Sequence, residues 1–418
     1  MSKSSIVDSV QQFNAGRDPE RLAMKLARMR ASPFVFLRGT AHRFYERLPH
    51  VDTLTSAPLA WICGDAHLEN FGTYKGDNRL AYFDINDFDE GTLAPVTLDL
   101  VRFLCSILLA GDSVRATANE SIVLCGEFLE AYGATLQSGK ACWVERETAE
   151  GLIKCLLDDV CERKRPEFLD RRTVCKGKQR HIVCDGKHAL PVTLAQRGQA
   201  TRLIEQFAAS QTDPSFFEVL DVARRIAGTG SLGVERYIIL VRGKGSPDGN
   251  FLLDLKQALP SQAQCWSKAR QPAWPSEAQR VVSVQQRMQA VSMAFLNAIV
   301  SGADSYILRG LQPSEDRVAL GLEGTAFKAI KGAINAMGRA MASAHLRSSG
   351  RQGSAIADDL IAHGASRAHW RDALIALAQS CSDDVEAEWR VYAAAWDAGA
   401  FGPATAGHGP QPQTTRPA

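Results

Sequence analysis

Residues 219–258 read VLDVARRIAGTGSLGVERYIILVRGKGSPDGNFLLDLKQA. Three aliphatic and β-branched runs, VLDVARRIA, VERYIILVR and NFLLDLKQA, are parted by GTGSLG and GKGSPDG. Such runs, bounded by glycine-rich turns, predict strands joined as consecutive hairpins in a small antiparallel sheet. A helix is expected to follow from Glu277 to about Asn297, and SYILRGLQ (305–312) reads as a further strand.

On the N-terminal side the texture is helical, with two short strands. Leu22, Leu26 and Met29 share one helical face, SPFVFLRG (32–39) reads as extended, and PLAWIC (58–63) reads as a buried strand. That strand runs into GDAHLENFGTYKGDNRL, followed by the strand LAYFDI (80–85) and an acid-rich loop. Ile122, Cys125, Leu129, Tyr132 and Leu136 mark one long helix; Phe327, Ile330, Ile334, Met337, Met341 and Ala344 mark another. Residues 162–188 read as a basic surface loop or hairpin, and helices are expected within 354–398. The division predicted is a flexible N-terminus (1–18), a helical lobe with the polar loops (19–218) and a small β lobe (219–320). Helices completing the first lobe (321–400) and a disordered Pro/Gly/Thr-rich tail (401–418) follow.

Three features carry chemistry. In Gly228-Thr229-Gly230-Ser231-Leu232-Gly233, glycines let backbone amides approach phosphates closely. A dinucleotide-binding loop joins strand to helix. This one joins strand to strand, the arrangement of a flap over phosphates; a plain hairpin turn is the alternative. Lys256 sits among aliphatics on the next strand. It reads either as a snorkelling edge residue or as an ammonium aimed at those phosphates. Asp65-Ala66-His67-Leu68-Glu69-Asn70 and the acids Asp84, Asp87, Asp89 and Glu90 form the third. Phosphoryl transfer needs a carboxylate near the acceptor hydroxyl and oxygen ligands for magnesium. Asp65 and Asn70 are five apart, the spacing of the catalytic Asp and metal-binding Asn in protein kinases.

GDAHLENFG with FDINDFDE resembles the GD-x-H-x-x-N and I-D-F-G-D motifs of aminoglycoside and choline phosphotransferases, in the protein-kinase-like superfamily. SPFVFLRG, GDAHLENFG, NDFDE, GTGSLG, LKQA, RVV-x-x-Q and MASAHLRS, in that order, resemble a bacterial family, domain-of-unknown-function family 2252, over roughly residues 20–400. The resemblance implies an α+β, two-lobed, kinase-like fold, but Asp65 precedes the glycine loop, whereas kinases have the reverse order. Either the two motif sets are unrelated or the chain is circularly permuted; for permutation, GRAMASAHLRS (338–348), with His345 near its end, matches the helix that comes just before the catalytic loop in such enzymes. Permutation at exposed loops is tolerated where native contacts survive.

Carried over, the resemblance makes Asp65 the catalytic carboxylate, with His67 beside it. It makes Asn70 and Asp84 magnesium ligands, and Lys256 the binder of the ATP phosphates under Gly228, Gly230, Ser231 and Gly233. The DFG-like triplet Asp84-Ile85-Asn86 lacks glycine, so Asp87 stands as a rival or additional ligand. Glu277 is the one carboxylate of its helix and the candidate partner of Lys256; Asp99 resembles a brace of the catalytic loop, and Arg38 is placed near the acceptor or in packing. The expected function is ATP- and magnesium-dependent transfer of phosphate to a hydroxyl acceptor, a small molecule of unknown identity. Nucleotidyl transfer and a non-catalytic nucleotide-binding regulator remain the alternatives.

Composition excludes other classes. Over 418 residues, 45% hydrophobic and 22% charged residues give an ordinary globular balance, and a net charge of +2 gives no nucleic-acid or acidic-tail signature. ERKRPEFLDRR (162–172) lacks interleaved aromatics beyond one Phe and reads as a solvated face. No apolar run reaches the ~20 residues that cross a bilayer, and MSKSSIVDSVQQFNAGRDPERL has no apolar signal core, so a cytoplasmic protein is expected. Ten scattered cysteines without a C-x-x-C pair are read as reduced and mostly buried; the spacings of Cys155, Cys161, Cys175 and Cys184 fit no usual zinc knuckle. A metallophosphoesterase is set aside because no G-N-H segment accompanies Asp65-Ala66-His67.

Overall fold

The computed structural model describes residues 5–402 apart from residues 314, 315, 319 and 322. Within them the chain is a mixed α+β protein whose sheets are antiparallel. The expected disordered tail lies outside the described residues beyond Gly402.

The N-terminal part opens with helices α1 (Ile6–Phe13), α2 (Pro19–Met29) and α3 (Pro33–Gly39). Two expectations fail here. Residues 6–13 of the N-terminus expected to be flexible form α1, which buries Ile6 and Val10. SPFVFLRG is a helix, not an extended segment. Ser32 caps it by accepting from Val35 N at 3.2 Å, and Pro33 occupies the first turn, where its missing N–H costs nothing.

Strand β1 (Leu59–Ile62) pairs with β4 (Thr92–Pro95), and between them β2 (Phe71–Lys75) pairs with β3 (Ala81–Ile85). Helix α4 (Thr97–Leu109) is almost wholly buried. Helix α5 (Ala118–Ser138) starts at a capping box between Thr117 and Glu120. The stretch 162–188 holds a short helix, Arg165–Asp170, and then a hairpin of Thr173–Lys176 with Gln179–Ile182.

The main sheet has six strands. Strands β5 (Ala189–Leu190), β6 (Val219–Arg225), β7 (Arg236–Val241) and β8 (Phe251–Gln257) neighbour one another in sequence order, and β10 (Asp304–Gly310) and then β9 (Asn297–Ser301) continue the sheet beyond β8. Period-two alternation gives the sheet two unlike faces. Tyr237, Ile239, Leu253, Leu255, Tyr306 and Leu308 pack under the helix Leu194–Ala208. The alternate positions include Arg225, Arg236, Asp254, Lys256 and Arg309. The β unit therefore begins near residue 189 and not at 219, because its edge strand and covering helix precede the hairpins.

Helix α6 (Glu277–Met288) ends well before Asn297. Residues beyond it give their backbone groups to the β2 region: Tyr74 donates to Val291 O (2.9 Å), Asp77 N to Ser292 O (2.9 Å) and Ala294 N to Lys75 O (3.2 Å). These bonds replace helical ones, and β9 follows. Helices α7 (Phe327–Arg347) and α8 (Arg367–Asp397) complete the fold, joining α4 and α5 in one core. The cysteines form no disulfide, but the expectation that most are buried is wrong: Cys155, Cys161, Cys175, Cys184 and Cys265 are exposed. No helix among the described residues is long and apolar enough to cross a membrane.

Candidate functional site

The loop after β1 is held from behind by Asp99 on α4. Its carboxylate accepts from Cys63 N at 2.9 Å and Gly64 N at 2.8 Å. His345, at the end of α7, places Nε2 3.3 Å from the same carboxylate and Nδ1 2.9 Å from the Tyr132 hydroxyl. Gly64 takes φ +77°, and a Cβ there would run into the backbone carbonyl of Glu90. Only glycine fits that crossing.

Asp65 follows at once. Its Oδ1 accepts from Arg102 Nε at 2.7 Å. Arg102 is fully buried, also donates to Leu37 O at 3.0 Å, and lies over the Phe44 ring at 4.7 Å. Burial pushes the Asp65 carboxyl up, and Arg102 opposes that push. Asn70 donates Nδ2 to Asp65 O (3.2 Å) and Asp87 O (3.1 Å), tying the two loops together. His67 is buried with no hydrogen-bond partner at Nδ1; burial and then Arg38 hold its pKa well below the ordinary value, so the ring is neutral.

Lys256 projects from β8 onto the acid loop. It forms a close ion pair with Asp89 and lies 3.7 Å from Asp87. Against the upward pull of burial, Lys256, Arg309 and Arg236 hold Asp87 down at about 2. Burial and the neighbouring Asp87 push Asp89 up. Burial and Asp65 push Glu90 up to about 7.

The glycine loop between β6 and β7 is clamped from outside. Arg17 donates to Gly230 O (2.7 Å) and Leu232 O (3.1 Å), Lys25 to Gly230 O (3.0 Å) and Asn14 Oδ1 (2.8 Å), and Arg28 to Gly228 O (3.0 Å). A Cβ on Gly230 would lie 2.9 Å from Arg38 O.

One cavity of about 420 Å³ is lined by Asp65, His67, Asn70, Asp87, Gly228, Gly230, Ser231 and Lys256 together. Asp89, Glu90, Arg17 and Arg38 line it too, and Arg38 pairs with Glu69 at 2.9 Å. Three expected residues do not. Asp84 is buried away from the cleft, its carboxylate taken by Arg347 Nη2 (2.7 Å) and Ile85 N (2.9 Å). Gly233 lies outside the lining and packs against Arg17. Glu277 pairs with Arg280 at 2.7 Å, not with Lys256. It sits at the solvent-side start of α6, whereas Asp89 lies directly under the lysine.

Sequence reasoning missed Arg102, the pairing of Asp89 with Lys256, Arg280 and the clamp on the glycine loop. Arg280 is fully buried and donates to Asp89 O (2.8 Å), Leu259 O (3.0 Å) and Gly91 O (2.5 Å), fastening the acid loop to the chain leaving β8. A cation inside an otherwise apolar helical stripe was the available signal for Arg102 and Arg280.

Fold and cleft together define an α+β protein in which a sheet-borne lysine and a glycine loop face a carboxylate-bearing loop. The chain belongs to domain-of-unknown-function family 2252 (DUF2252), described as an uncharacterized protein conserved in bacteria, whose family model matches residues 17–395. No curated protein and no solved structure matches the chain.

Proposed function

We propose that the chain is an ATP- and magnesium-dependent phosphotransferase acting on a hydroxyl acceptor, built as a circularly permuted kinase-like fold. The observation that carries this reading is the single cavity holding Lys256, Asp87, Asn70 and Asp65 beneath the glycine loop. The permutation rests on the end of α7. His345 meets the Asp99 carboxylate that fixes Gly64, Ala355 N donates to Leu59 O at 2.7 Å, and Trp61 Nε1 donates to Arg351 O at 2.9 Å. The chain leaving α7 thus runs beside the strand that enters the Asp65 loop, as a direct helix-to-loop connection requires.

The donor set fits magnesium. This ion keeps several waters and needs only one or two protein oxygens besides phosphate oxygens. Asn70 Oδ1, whose amide nitrogen is already engaged, and the ionised Asp87 carboxylate would hold it. When bound, magnesium neutralises charge on the β- and γ-phosphates. Lys256 and the amides around Gly230 bind the phosphates. Asp65, fixed by Arg102, orients the acceptor hydroxyl and receives its proton as the acceptor oxygen bonds to the γ-phosphorus. The bond from that phosphorus to the β,γ-bridging oxygen breaks, and ADP leaves. Neutral His67 hydrogen-bonds the acceptor.

Calorimetric titration of the full chain with ATP and magnesium tests the reading. Micromolar to millimolar binding is expected in the wild type, with at least tenfold loss in Lys256→Ala and Asp87→Asn. Asp65→Asn keeps ATP affinity but loses transfer to the hydroxyl acceptor or to water. Unchanged nucleotide affinity in both Lys256→Ala and Asp87→Asn removes the site.

A further inference from the structure

The cleft-facing side of the sheet carries more cations than phosphate cradling by Lys256 uses. Arg225 on β6, Arg236 on β7 and Arg309 on β10 all converge on Asp254 of β8. The contacts are 2.7 Å from Arg225, 2.6 Å from Arg236 and 3.3 Å from Arg309. Arg317 joins them from the segment after β10. These four arginines, with Asn86 and Asp87, line a chamber of about 40 Å³. Asn70, Asp87, Gly228 and Arg317 line both this chamber and the main cavity, so the two spaces meet.

Charge and hydrogen bonding around the chamber are incomplete. Asp254 serves three guanidinium groups, and Glu69 serves Arg38 at 2.9 Å and Arg317 at 3.0 Å. Asp87 and Asp89 answer Lys256. Around the chamber itself the guanidinium groups of Arg225, Arg236, Arg309 and Arg317 face three carboxylates, Asp254, Glu69 and Asp87, and two of these are shared with Arg38 and Lys256. Both polar atoms of the Asn86 amide are buried without a hydrogen-bond partner. Burial and the neighbouring Arg236 and Arg309 push Arg225 down to about 9, even with Asp254 in contact. Unbalanced buried cations are costly unless an anion completes them.

We infer that the chamber is an anion subsite that receives one phosphate group, carried by a molecule that lies in the main cleft. A single water needs about 10–15 Å³, so the chamber suits one tetrahedral oxyanion. Planar guanidinium forks bind phosphate oxygens in pairs, and an anion answers the excess of positive charge. The Asn86 amide supplies a neutral donor at the same wall. This subsite exists whether or not the cleft transfers phosphate. Its phosphate comes either from the end of the nucleotide or from a phosphorylated acceptor.

Inorganic phosphate is the probe, titrated into the full chain at constant ionic strength, with calorimetry and thermal unfolding as readouts. Saturable binding is expected in the wild type, persisting in Lys256→Ala. Arg317→Ala and Arg309→Ala are expected to weaken it roughly tenfold to a hundredfold. Arg317 is partly exposed, so its variant keeps the fold, which circular dichroism checks. Competition between phosphate and ATP–magnesium, with ATP affinity also falling in Arg317→Ala, assigns the subsite to the nucleotide. Additive binding of the two assigns it to the acceptor. Absence of saturable phosphate binding, or equal affinity in the wild type and both arginine variants, overturns the subsite. Loss of ATP binding in Lys256→Ala with phosphate binding retained separates this inference from the phosphotransfer reading.

Discussion

Asp99→Ala removes one carboxylate and strands four groups. Cys63 N and Gly64 N lose acceptors at 2.9 and 2.8 Å, the Cys63 thiol loses its acceptor at 3.3 Å, and His345 Nε2 loses its neighbour at 3.3 Å. Asp99 and His345 are fully buried, so water does not readily take over. A buried donor left unpaired costs about 1–3 kcal/mol, and two such donors together cost about 4 kcal/mol. Against a folding free energy of roughly 5–15 kcal/mol this is a large fraction. Asp99→Asn keeps one acceptor oxygen but turns an NH₂ toward the second amide, so a loss of about 2 kcal/mol is expected. Urea unfolding followed by far-ultraviolet circular dichroism measures both values. Asp65 is the next residue after the anchored glycine, so the folded fraction of Asp99→Asn should bind ATP normally and transfer phosphate poorly. A loss below about 1 kcal/mol in Asp99→Ala, with the fold intact, refutes Asp99 as the anchor of this loop.

Three further outcomes are expected. Glu90, raised to about 7, is more easily protonated folded than unfolded. Its favourable contribution is complete below its unfolded value near 4.3 and is lost as pH rises through about 7, a swing of roughly 4 kcal/mol. Glu90→Gln should therefore gain stability over the wild type between pH 5 and pH 8 in urea titrations; a constant difference contradicts this. Asp84→Asn, which breaks the buried pair with Arg347, should lower stability by about 3 kcal/mol while the folded protein keeps magnesium-dependent ATP binding. Loss of magnesium dependence there, with Asp87→Asn unaffected, would return the ligand role to Asp84. Arg17→Ala with Lys25→Ala releases three hydrogen bonds to the carbonyls of residues 230 and 232, and hydrogen exchange over 228–233 should then quicken at least tenfold.

The strand alternation in 219–258 and the stripes of α5 and α7 were legible because burial on one face leaves a period in the residues themselves. What failed depended on neighbours distant in the chain. β9 is a strand because the residues before it bond to β2, a partner more than two hundred residues away. FDIND offers two carboxylates of equal promise; which one reaches the cleft depends on β3 ending at Ile85 and on Arg347 arriving from α7. Arg225, Arg236, Asp254 and Arg309 sit at alternate strand positions where a charge ordinarily means solvent. Only the register that brings them together shows them to be one buried cluster. The helix at SPFVFLRG was available in principle from its Ser-Pro start.

The cations of α2 and of the turn before it grip the carbonyls of the glycine loop, whose residues 228–231 line the cavity. A cover fastened along its outer edge is a poor hinge. Anything entering the cavity then passes the side chains at its mouth, or waits for the first thirty residues to lift, which ties access to the cavity to the start of the polypeptide.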